Sequence, residues 1–246
     1  MLDLTCRQTV GHGRRSGSGR GVEALRADAG YVTLAVPRAA LAVAETLALE
    51  PVKIPWEDDG ALETITAAAE KAGALAIGPG LGRGAGRRTL VRELLRRIDL
   101  PAVVDADALF ELEPLERSAP TVLTPHAGEL ARLLGRDDVS ERRLAAARDA
   151  AERFGTVVLL KGPDTIVASP DGSAVVCDLG PPSLATAGTG DVLTGILGAF
   201  LAKGLDAATA AAAAAVAHGL AARQVEHQAG LVASDLLPAI QAVLEA

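Results

Sequence analysis

The stretch Thr186–Thr194 has the sequence TAGTGDVLT, in which two glycines flank a threonine and an aspartate follows. Beyond it, apolar residues recur at the spacing of a helix: Val192, Leu193, Ile196, Leu197, Phe200 and Leu201. This pattern predicts that a helix begins within the stretch. The backbone N–H groups of Gly188, Thr189 and Gly190 would then lie at its N-terminus, where unpaired donors and the helix dipole favour an anion.

Asp191 directly follows this predicted anion site, although a carboxylate and an anion repel each other. A catalytic role explains the placement. We interpret Asp191 as a base that takes a proton from a hydroxyl group while that hydroxyl is phosphorylated. The predicted catalytic group is therefore the Asp191 side chain together with the backbone of Gly188, Thr189 and Gly190.

The composition favours a cytoplasmic enzyme with an aliphatic core. Of the 246 residues, 49% are hydrophobic but only 2% are aromatic, and the length suits one large α/β domain or two small ones. The net charge of −7 disfavours a nucleic-acid-binding surface. No apolar run predicts a signal peptide or a membrane span, and the two cysteines lack metal-site spacing. We therefore expect a cytoplasmic protein with neither nucleic acid nor membrane as partner.

From residue 30 onward, short apolar runs alternate with helical patterns. The predicted strands are Tyr31–Val36, Ala74–Ile77, Ala102–Asp105, Thr121–Thr124 and Val157–Lys161, followed by a hairpin of Thr165–Ala168 and Ala174–Cys177. Continuous apolar strands separated by helices predict an α/β fold with a mostly parallel central sheet and helices on both faces. No linker divides residues 30–246, which we expect to form one domain.

Residues 1–29 are expected to form an atypical N-terminal segment. Its stretch 11–21 is rich in glycine and arginine and shows no periodicity. A phosphate-binding loop is the alternative, but the stretch lacks the Gly-Lys-Ser/Thr ending of a P-loop. We therefore favour a poorly ordered or remnant segment.

Two motifs with glycine or aspartate follow predicted strands, where ligands of open α/β sheets bind. The loop Gly78-Pro-Gly-Leu-Gly82 lacks the G-x-G-x-x-G spacing of a dinucleotide-binding turn, and we predict a loop lying close to a ligand rather than a simple turn. In the next motif, Asp105 is a candidate for orienting a metal-bound water or a ligand hydroxyl. Asp107 is predicted to cap the following helix.

Two further motifs leave open a functional and a structural interpretation. His126 either binds a phosphate or polar substrate group or is a structural residue of a turn. The segment Lys161–Thr165 either binds nucleotide phosphates or is the solvated end of a hairpin. His218, within an alanine-rich helix, is expected to be a packing residue.

Taken together, these motifs resemble the ADP-dependent NAD(P)H-hydrate dehydratases, a branch of the ribokinase-like superfamily. The resemblance rests on GPGLG at 78–82, VDADAL at 104–109, LTPHAGE at 123–129, LKGPDT at 160–165 and ATAGTGDVLTG at 185–195. The AGTGD element alone is typical of the whole superfamily, whereas the set in this order is specific to the family. The resemblance extends from about residue 29 to the C-terminus and implies a ribokinase-like fold.

The resemblance implies a repair activity, in which water is removed from hydrated NADH or NADPH and ADP is converted to AMP and phosphate. Asp191 would deprotonate the ring hydroxyl, and the amides of residues 188–190 would stabilise the transferring phosphoryl group. Residues matching the family's substrate contacts are Gly80, His126 and Asp191. Those matching its adenine-nucleotide contacts are Lys161, Gly162, Pro163, Asp164, Thr165 and Gly190.

The resemblance also implies partners. Mg²⁺ would bridge the phosphates of ADP, the phosphoryl donor, and no protein residue is assigned as its ligand. Family members are commonly homo-oligomers, often tetramers, and an NAD(P)HX epimerase would be the functional partner.

The chain departs from the family at its N-terminus. The family begins with a β-strand and a glycine-rich turn, but residues 1–21 contain no apolar strand pattern. We therefore expect that the first family strand is missing and that one wall of the substrate pocket is altered. Two alternatives remain: a ribokinase-like kinase of small-molecule hydroxyl groups, and a non-catalytic nucleotide-binding remnant.

Overall fold

The computed structural model describes residues 5–9, 21–114 and 116–246, and the backbone alone is described for residues 5–9. Strands β1 to β9 span Thr5–Thr9, Tyr31–Pro37, Val52–Trp56, Ala74–Ile77, Ala102–Val104, Thr121–Leu123, Val157–Leu160, Thr165–Ala168 and Ala174–Cys177. Helices α1 to α9 span Val22–Arg26, Leu41–Leu47, Ala61–Ala69, Ala85–Arg97, Ala127–Leu134, Arg143–Phe154, Thr189–Ala202, Ala207–Gln224 and Leu236–Glu245. Short 3-10 helices span Arg38–Ala40, Ala106–Leu109, Ser140–Arg142, Pro182–Leu184 and Ala233–Asp235.

The strands form one sheet in the order β3-β2-β1-β4-β5-β6-β7-β8-β9. Pairs from β3 to β7 are parallel, and the predicted hairpin adds β8 and β9 in antiparallel orientation. The central strands β4 to β7 consist of apolar residues that are buried, with a threonine at the start of β6. This burial on both faces explains their continuous apolar sequence. The predicted α/β fold with a mostly parallel sheet is confirmed.

Two aliphatic cores lie on the two faces of the sheet. Neighbouring residues of a strand point to opposite faces, so Val103 and Leu159 join one core while Val104 and Leu160 join the other. The first core is covered by α1, α7, α8 and α9, and the second by α3, α4, α5 and α6. None of the helices in the described ranges is long and apolar enough to cross a membrane.

The expectation that the first family strand is missing is wrong. Strand β1 lies between β2 and β4 and pairs in parallel with both, from Thr5 opposite Tyr31 to Gln8 opposite Ala76. Its sequence TCRQT carries no apolar run, yet a strand flanked on both sides is held by two rows of backbone hydrogen bonds that any sequence can make. Hydropathy therefore could not reveal it. Residues 11–20 of the predicted glycine-rich segment lie outside the described residues.

Helix α1 is also part of the packed structure. Ala24 is fully buried, and a Cβ placed on Gly195 of α7 would lie 2.5 Å from the Glu23 Cβ and 3.0 Å from the Ala24 nitrogen. Glycine at 195 therefore allows α1 to pack directly against the helix that begins at the candidate catalytic stretch. The proposed domain boundary at residues 29 and 30 stays a prediction.

Candidate active site

The carboxyl ends of four neighbouring strands, β4 to β7, lie side by side in the sheet. The loops that follow these strands bring most of the predicted site residues together. Backbone hydrogen bonds join their ends: Asp105 N–H donates to Ile77, Thr124 N–H to Val104, and Lys161 N–H to Pro125, at 3.0, 3.0 and 2.8 Å. The loop containing Gly80, the turn containing His126 and the loop beginning at Lys161 therefore lie side by side. This is where parallel sheets place their ligands.

Asp105 forms hydrogen bonds to several groups around these strand ends. Its carboxylate is 1% exposed and accepts hydrogen bonds from the Lys161 ammonium at 2.6 Å, the Ala106 N–H at 2.8 Å and the Thr194 hydroxyl at 2.7 Å. Both oxygens are thus occupied within the protein. The structure corrects the sequence interpretation that Asp105 orients a metal-bound water or a ligand hydroxyl. Thr194, which sequence reasoning missed, ties helix α7 to the end of β5.

Lys161 carries a stable positive charge beside the start of α7. Burial acts to lower the pKa of Lys161, but the charges of Asp105, Glu129 and Asp191 and the hydrogen bond to Asp105 outweigh it, so the pKa is raised. A Cβ placed on Gly190 would lie 3.4 Å from the Lys161 Nζ. The ammonium therefore sits directly against the glycine backbone at the helix N-terminus, where a phosphate would meet both.

The start of α7 has the geometry of an anion site. Gly188 precedes the helix with φ +93°, a left-handed conformation that favours glycine. The Thr189 hydroxyl lies 2.7 and 2.8 Å from the carbonyl oxygens of Leu184 and Thr186, which share its one proton, and the Thr189 N–H makes a long 3.4 Å contact with the Thr186 carbonyl. Within the described chain, the N–H groups of Gly188 and Gly190 have no acceptor. The donors available to an anion are therefore those of Gly188 and Gly190, and Thr189 holds the turn.

Asp191 lies in the first turn of α7 and is half-buried. It is three residues before Thr194 and so shares the helix face that contacts Asp105 at the strand ends. Its charge acts on Lys161. The predicted base, the lysine and the two glycine amides thus converge on one place.

His126 begins helix α5 and has a structural role. Its Nδ1 accepts hydrogen bonds from the N–H groups of Gly128 and Glu129 at 3.1 and 3.3 Å, and Glu129 accepts from the His126 N–H at 2.9 Å. This reciprocal capping box fixes the ring. Because Nδ1 is an acceptor, the neutral ring carries its proton on Nε2. The side chain remains 55% exposed, so capping leaves the ring accessible to a ligand.

The glycine loop after β4 packs tightly on the end of β5. Gly78 has φ +133°, and a Cβ there would lie 1.7 Å from the Asp105 carbonyl oxygen. Asp107 accepts hydrogen bonds from the Gly82 N–H at 2.9 Å and from Arg83 at 2.8 Å. Asp105, not Asp107, occupies the N-cap position of the following 3-10 helix, which corrects the predicted role of Asp107. Asp107 holds the glycine loop instead, and with it Gly80.

His218 lies in α8, behind the start of α7, and its predicted burial is confirmed at 8% exposure. Burial lowers the pKa of His218 to about 4; a hydrogen bond to the Thr189 backbone acts in the opposite direction, and the charge of Lys161 lowers the pKa further. The imidazole is therefore neutral near pH 7.

Comparisons with known proteins found a matching family and similar chains. A profile of the NAD(P)H-hydrate dehydratase family matches residues 18–243. The bifunctional NAD(P)H-hydrate repair enzyme Nnr of Moorella thermoacetica is 42% identical over an alignment 238 positions long, which covers 90% of this chain and 45% of that protein. This chain thus spans less than half the length of that curated relative.

Two solved structures are also similar. The ADP/ATP-dependent NAD(P)H-hydrate dehydratase of Bacillus subtilis, co-crystallised with ATP/Mg²⁺ and soaked with CoA, matches 99% of this chain and 92% of its own with a TM-score of 0.85 and 28% identity. A ribokinase-like superfamily protein of Enterococcus faecalis matches 98% of this chain and 86% of its own with a TM-score of 0.83. At 22% identity, the latter likeness shows the fold alone.

Proposed function

The chain belongs to the NAD(P)H-hydrate dehydratase family, and from this premise we propose that it restores hydrated NADH or NADPH in an ADP-dependent reaction. The observation that supports this most strongly is the convergence of Lys161, Asp191 and the amides of Gly188 and Gly190 at the strand ends. A lysine and a helix N-terminus suit a phosphoryl group, and the carboxylate beside them suits a base. These residues all lie within this chain, which matches less than half of its curated relative.

The reaction needs a kinase-like site because hydroxide is a poor leaving group. In the first step of the proposed reaction, the hydroxyl oxygen on the hydrated nicotinamide ring attacks the β-phosphorus of ADP. The bond between this phosphorus and the oxygen that bridges the two phosphates breaks, and AMP leaves. The new C–O–phosphate bond then breaks at carbon, phosphate departs with the electron pair, and loss of a ring proton restores the double bond. The balance is hydrated cofactor plus ADP giving NAD(P)H, AMP and phosphate.

Each residue has a role that follows from its position. Asp191 takes the hydroxyl proton as the phosphoryl group arrives. Lys161 and the amides of Gly188 and Gly190 balance the charge that develops on the phosphoryl oxygens. Gly80, His126 and Asp191 are proposed to contact the hydrated nicotinamide nucleotide. The loop of Lys161, Gly162, Pro163, Asp164 and Thr165, together with Gly190, is proposed to hold the adenine nucleotide.

Mg²⁺ fits this arrangement as an ion bound mainly by the nucleotide. In the described part of the chain, no three potential ligand side chains of the His, Cys, Asp or Glu type come together. Mg²⁺ commonly binds phosphate oxygens and water with few protein ligands, and bound there it would neutralise phosphate charge.

We further propose a homo-oligomer, in the family's commonest form a tetramer, in the cytoplasm, with an NAD(P)HX epimerase as functional partner. Apolar side chains around the edge strand β3 support self-association, since Val43, Leu47 and Leu49 are 59, 62 and 76% exposed. The bifunctional nature of the curated relative supports the functional partner. Light scattering coupled to size-exclusion chromatography would test the oligomeric state.

The direct test incubates the purified chain with hydrated NADH, ADP and Mg²⁺ and follows the absorbance of NADH at 340 nm. We expect the absorbance to return and AMP and phosphate to form in equal amounts. Phosphorylation of a small alcohol by ATP, without turnover of the hydrate, would indicate a kinase instead. Binding of ADP without either reaction would indicate a non-catalytic remnant.

A further inference from the structure

Arg143 contacts the proposed nucleotide loop, although it lies outside every motif of the sequence. It is the first residue of α6, and its side chain is 16% exposed. A Cβ placed on Gly162 would lie 1.9 Å from the Arg143 Nη1, 2.5 Å from Nη2 and 2.5 Å from Cζ. The guanidinium group therefore fills the space that a side chain at position 162 would need.

The same guanidinium group is bound to Asp164. Its Nη2 donates a hydrogen bond to the Asp164 carbonyl oxygen, and its Nε lies 3.6 Å from the Asp164 carboxylate. The Nε atom is buried, and that ion pair is too long for a hydrogen bond. Arg143 thus fixes the main chain of the loop at two points, Gly162 by contact and Asp164 by hydrogen bonding.

A side chain at 162 would have to displace the Arg143 guanidinium group. Gly162 does not have the left-handed φ of Gly78 or Gly80, so its backbone conformation is open to other residues. The three atoms nearest to a Cβ at this position all belong to the Arg143 guanidinium group. Arg143 and Gly162 are therefore expected to be energetically coupled: the effect of a substitution at one position should depend on the residue at the other.

We propose that Arg143 is a positioning residue that sets the affinity for the adenine nucleotide by holding the Lys161–Thr165 loop in its binding conformation. A loop that is ordered before binding loses less conformational entropy when the ligand binds. Gly162 and Pro163 remain exposed although Arg143 contacts the loop, so the loop is accessible to a ligand. This inference rests on the proposed function, because it takes the loop as the nucleotide site.

The first test compares Arg143→Met with the wild-type chain by calorimetric titration of ADP and by steady-state kinetics. Methionine keeps an apolar stem but removes the guanidinium group. We expect ADP to bind about tenfold more weakly, while the KM for hydrated NADH and the kcat at saturating ADP stay within about twofold. The matched control is Arg148→Met on the same helix, where the side chain is exposed; it should leave ADP binding unchanged.

The second test uses the coupling between the two positions and does not depend on the stability of one variant. Gly162→Ala should weaken ADP binding about tenfold in the wild-type chain, because the methyl group displaces the guanidinium group. In an Arg143→Ala background the same change should add less than about a twofold loss. Gly60→Ala, with open space around its added Cβ, is the control.

The outcomes separate the two proposals. If the wild-type chain binds ADP and Arg143→Met binds it equally well, the role of Arg143 alone is overturned. The same holds if Gly162→Ala weakens ADP binding equally in both backgrounds. A wild-type chain that does not bind ADP would contradict the proposed function and this inference with it. The positioning role is supported if Arg143→Met selectively weakens ADP binding and if the effects of Gly162→Ala and Arg143→Ala on ADP binding are not additive.

Discussion

The Lys161 ammonium lies 2.6 Å from the Asp105 carboxylate, whose second oxygen accepts from the Thr194 hydroxyl at 2.7 Å. One buried carboxylate therefore connects the end of β5, the start of the proposed nucleotide loop and helix α7. In the proposed function, Asp105 holds Lys161 and helix α7 in position and does not itself contact the substrate. The pairing also keeps Lys161 charged, since its raised pKa means that the protonated form is favoured up to and beyond its ordinary value of 10.5.

Replacing Asp105 by asparagine should destabilise the fold and weaken ADP binding together. The change leaves a largely buried ammonium without the carboxylate that is hydrogen-bonded to it, while the charges of Glu129 and Asp191 remain. We expect the free energy of unfolding to fall by roughly 3 kcal/mol, the low end for loss of one partner of a buried pair. Urea denaturation measures this loss. Asp137→Asn, at an exposed position, is the control and should have no effect. Unchanged stability in Asp105→Asn would show that the ion pair does not hold the site together.

Gly188→Ala should lower the activity more than its loss of stability can explain. Alanine at φ +93° is strained by about 1 kcal/mol, and relief of that strain turns the amide donors away from the phosphoryl group. We expect kcat to fall about a hundredfold, as for the loss of one donor to a developing charge.

Gly204→Ala at the other end of α7 is the matched control, because Gly204 also has positive φ, at +87°, and open space around it. It should show a similar loss of stability by thermal unfolding with normal kcat. Equal activity of the two variants would contradict the role of the Gly188 turn.

The buried His218 should make stability depend on pH between about 4 and 6.5. Its folded pKa is about 4, so in this range the unfolded chain binds a proton that the folded chain excludes. The contribution of neutral His218 is complete above pH 6.5 and is lost as the pH falls, by roughly 3 kcal/mol in total. His218→Gln should flatten this part of a denaturation curve measured against pH, whereas exposed His227→Gln should not. An unchanged slope in His218→Gln would mean that His218 does not titrate in this way.

The sequence predicted the elements and the cluster of motifs well, because strands β4 to β7 are continuous apolar runs and each site loop follows one of them. It did not predict β1, since the residues of TCRQT are placed by backbone pairing with β2 and β4 and not by hydropathy. It misjudged Asp105 and Asp107 because an aspartate two residues from another carries no sign of which one is buried. The contacts of Thr194 and Arg143 were not predicted, for a related reason. Their partners, Asp105 and Gly162, are 89 and 19 positions away in the chain, and only the folded structure brings them together.

The assignment of Asp191 as the base is tested most directly by comparing Asp191→Asn with the wild-type chain in the 340 nm assay with hydrated NADH, ADP and Mg²⁺. Asparagine keeps the size of the side chain but cannot accept the hydroxyl proton. We predict that kcat falls by about a thousandfold, within the range for the loss of a general base, while ADP still binds and Asp137→Asn remains fully active. Recovery of absorbance at the wild-type rate by Asp191→Asn would contradict the account.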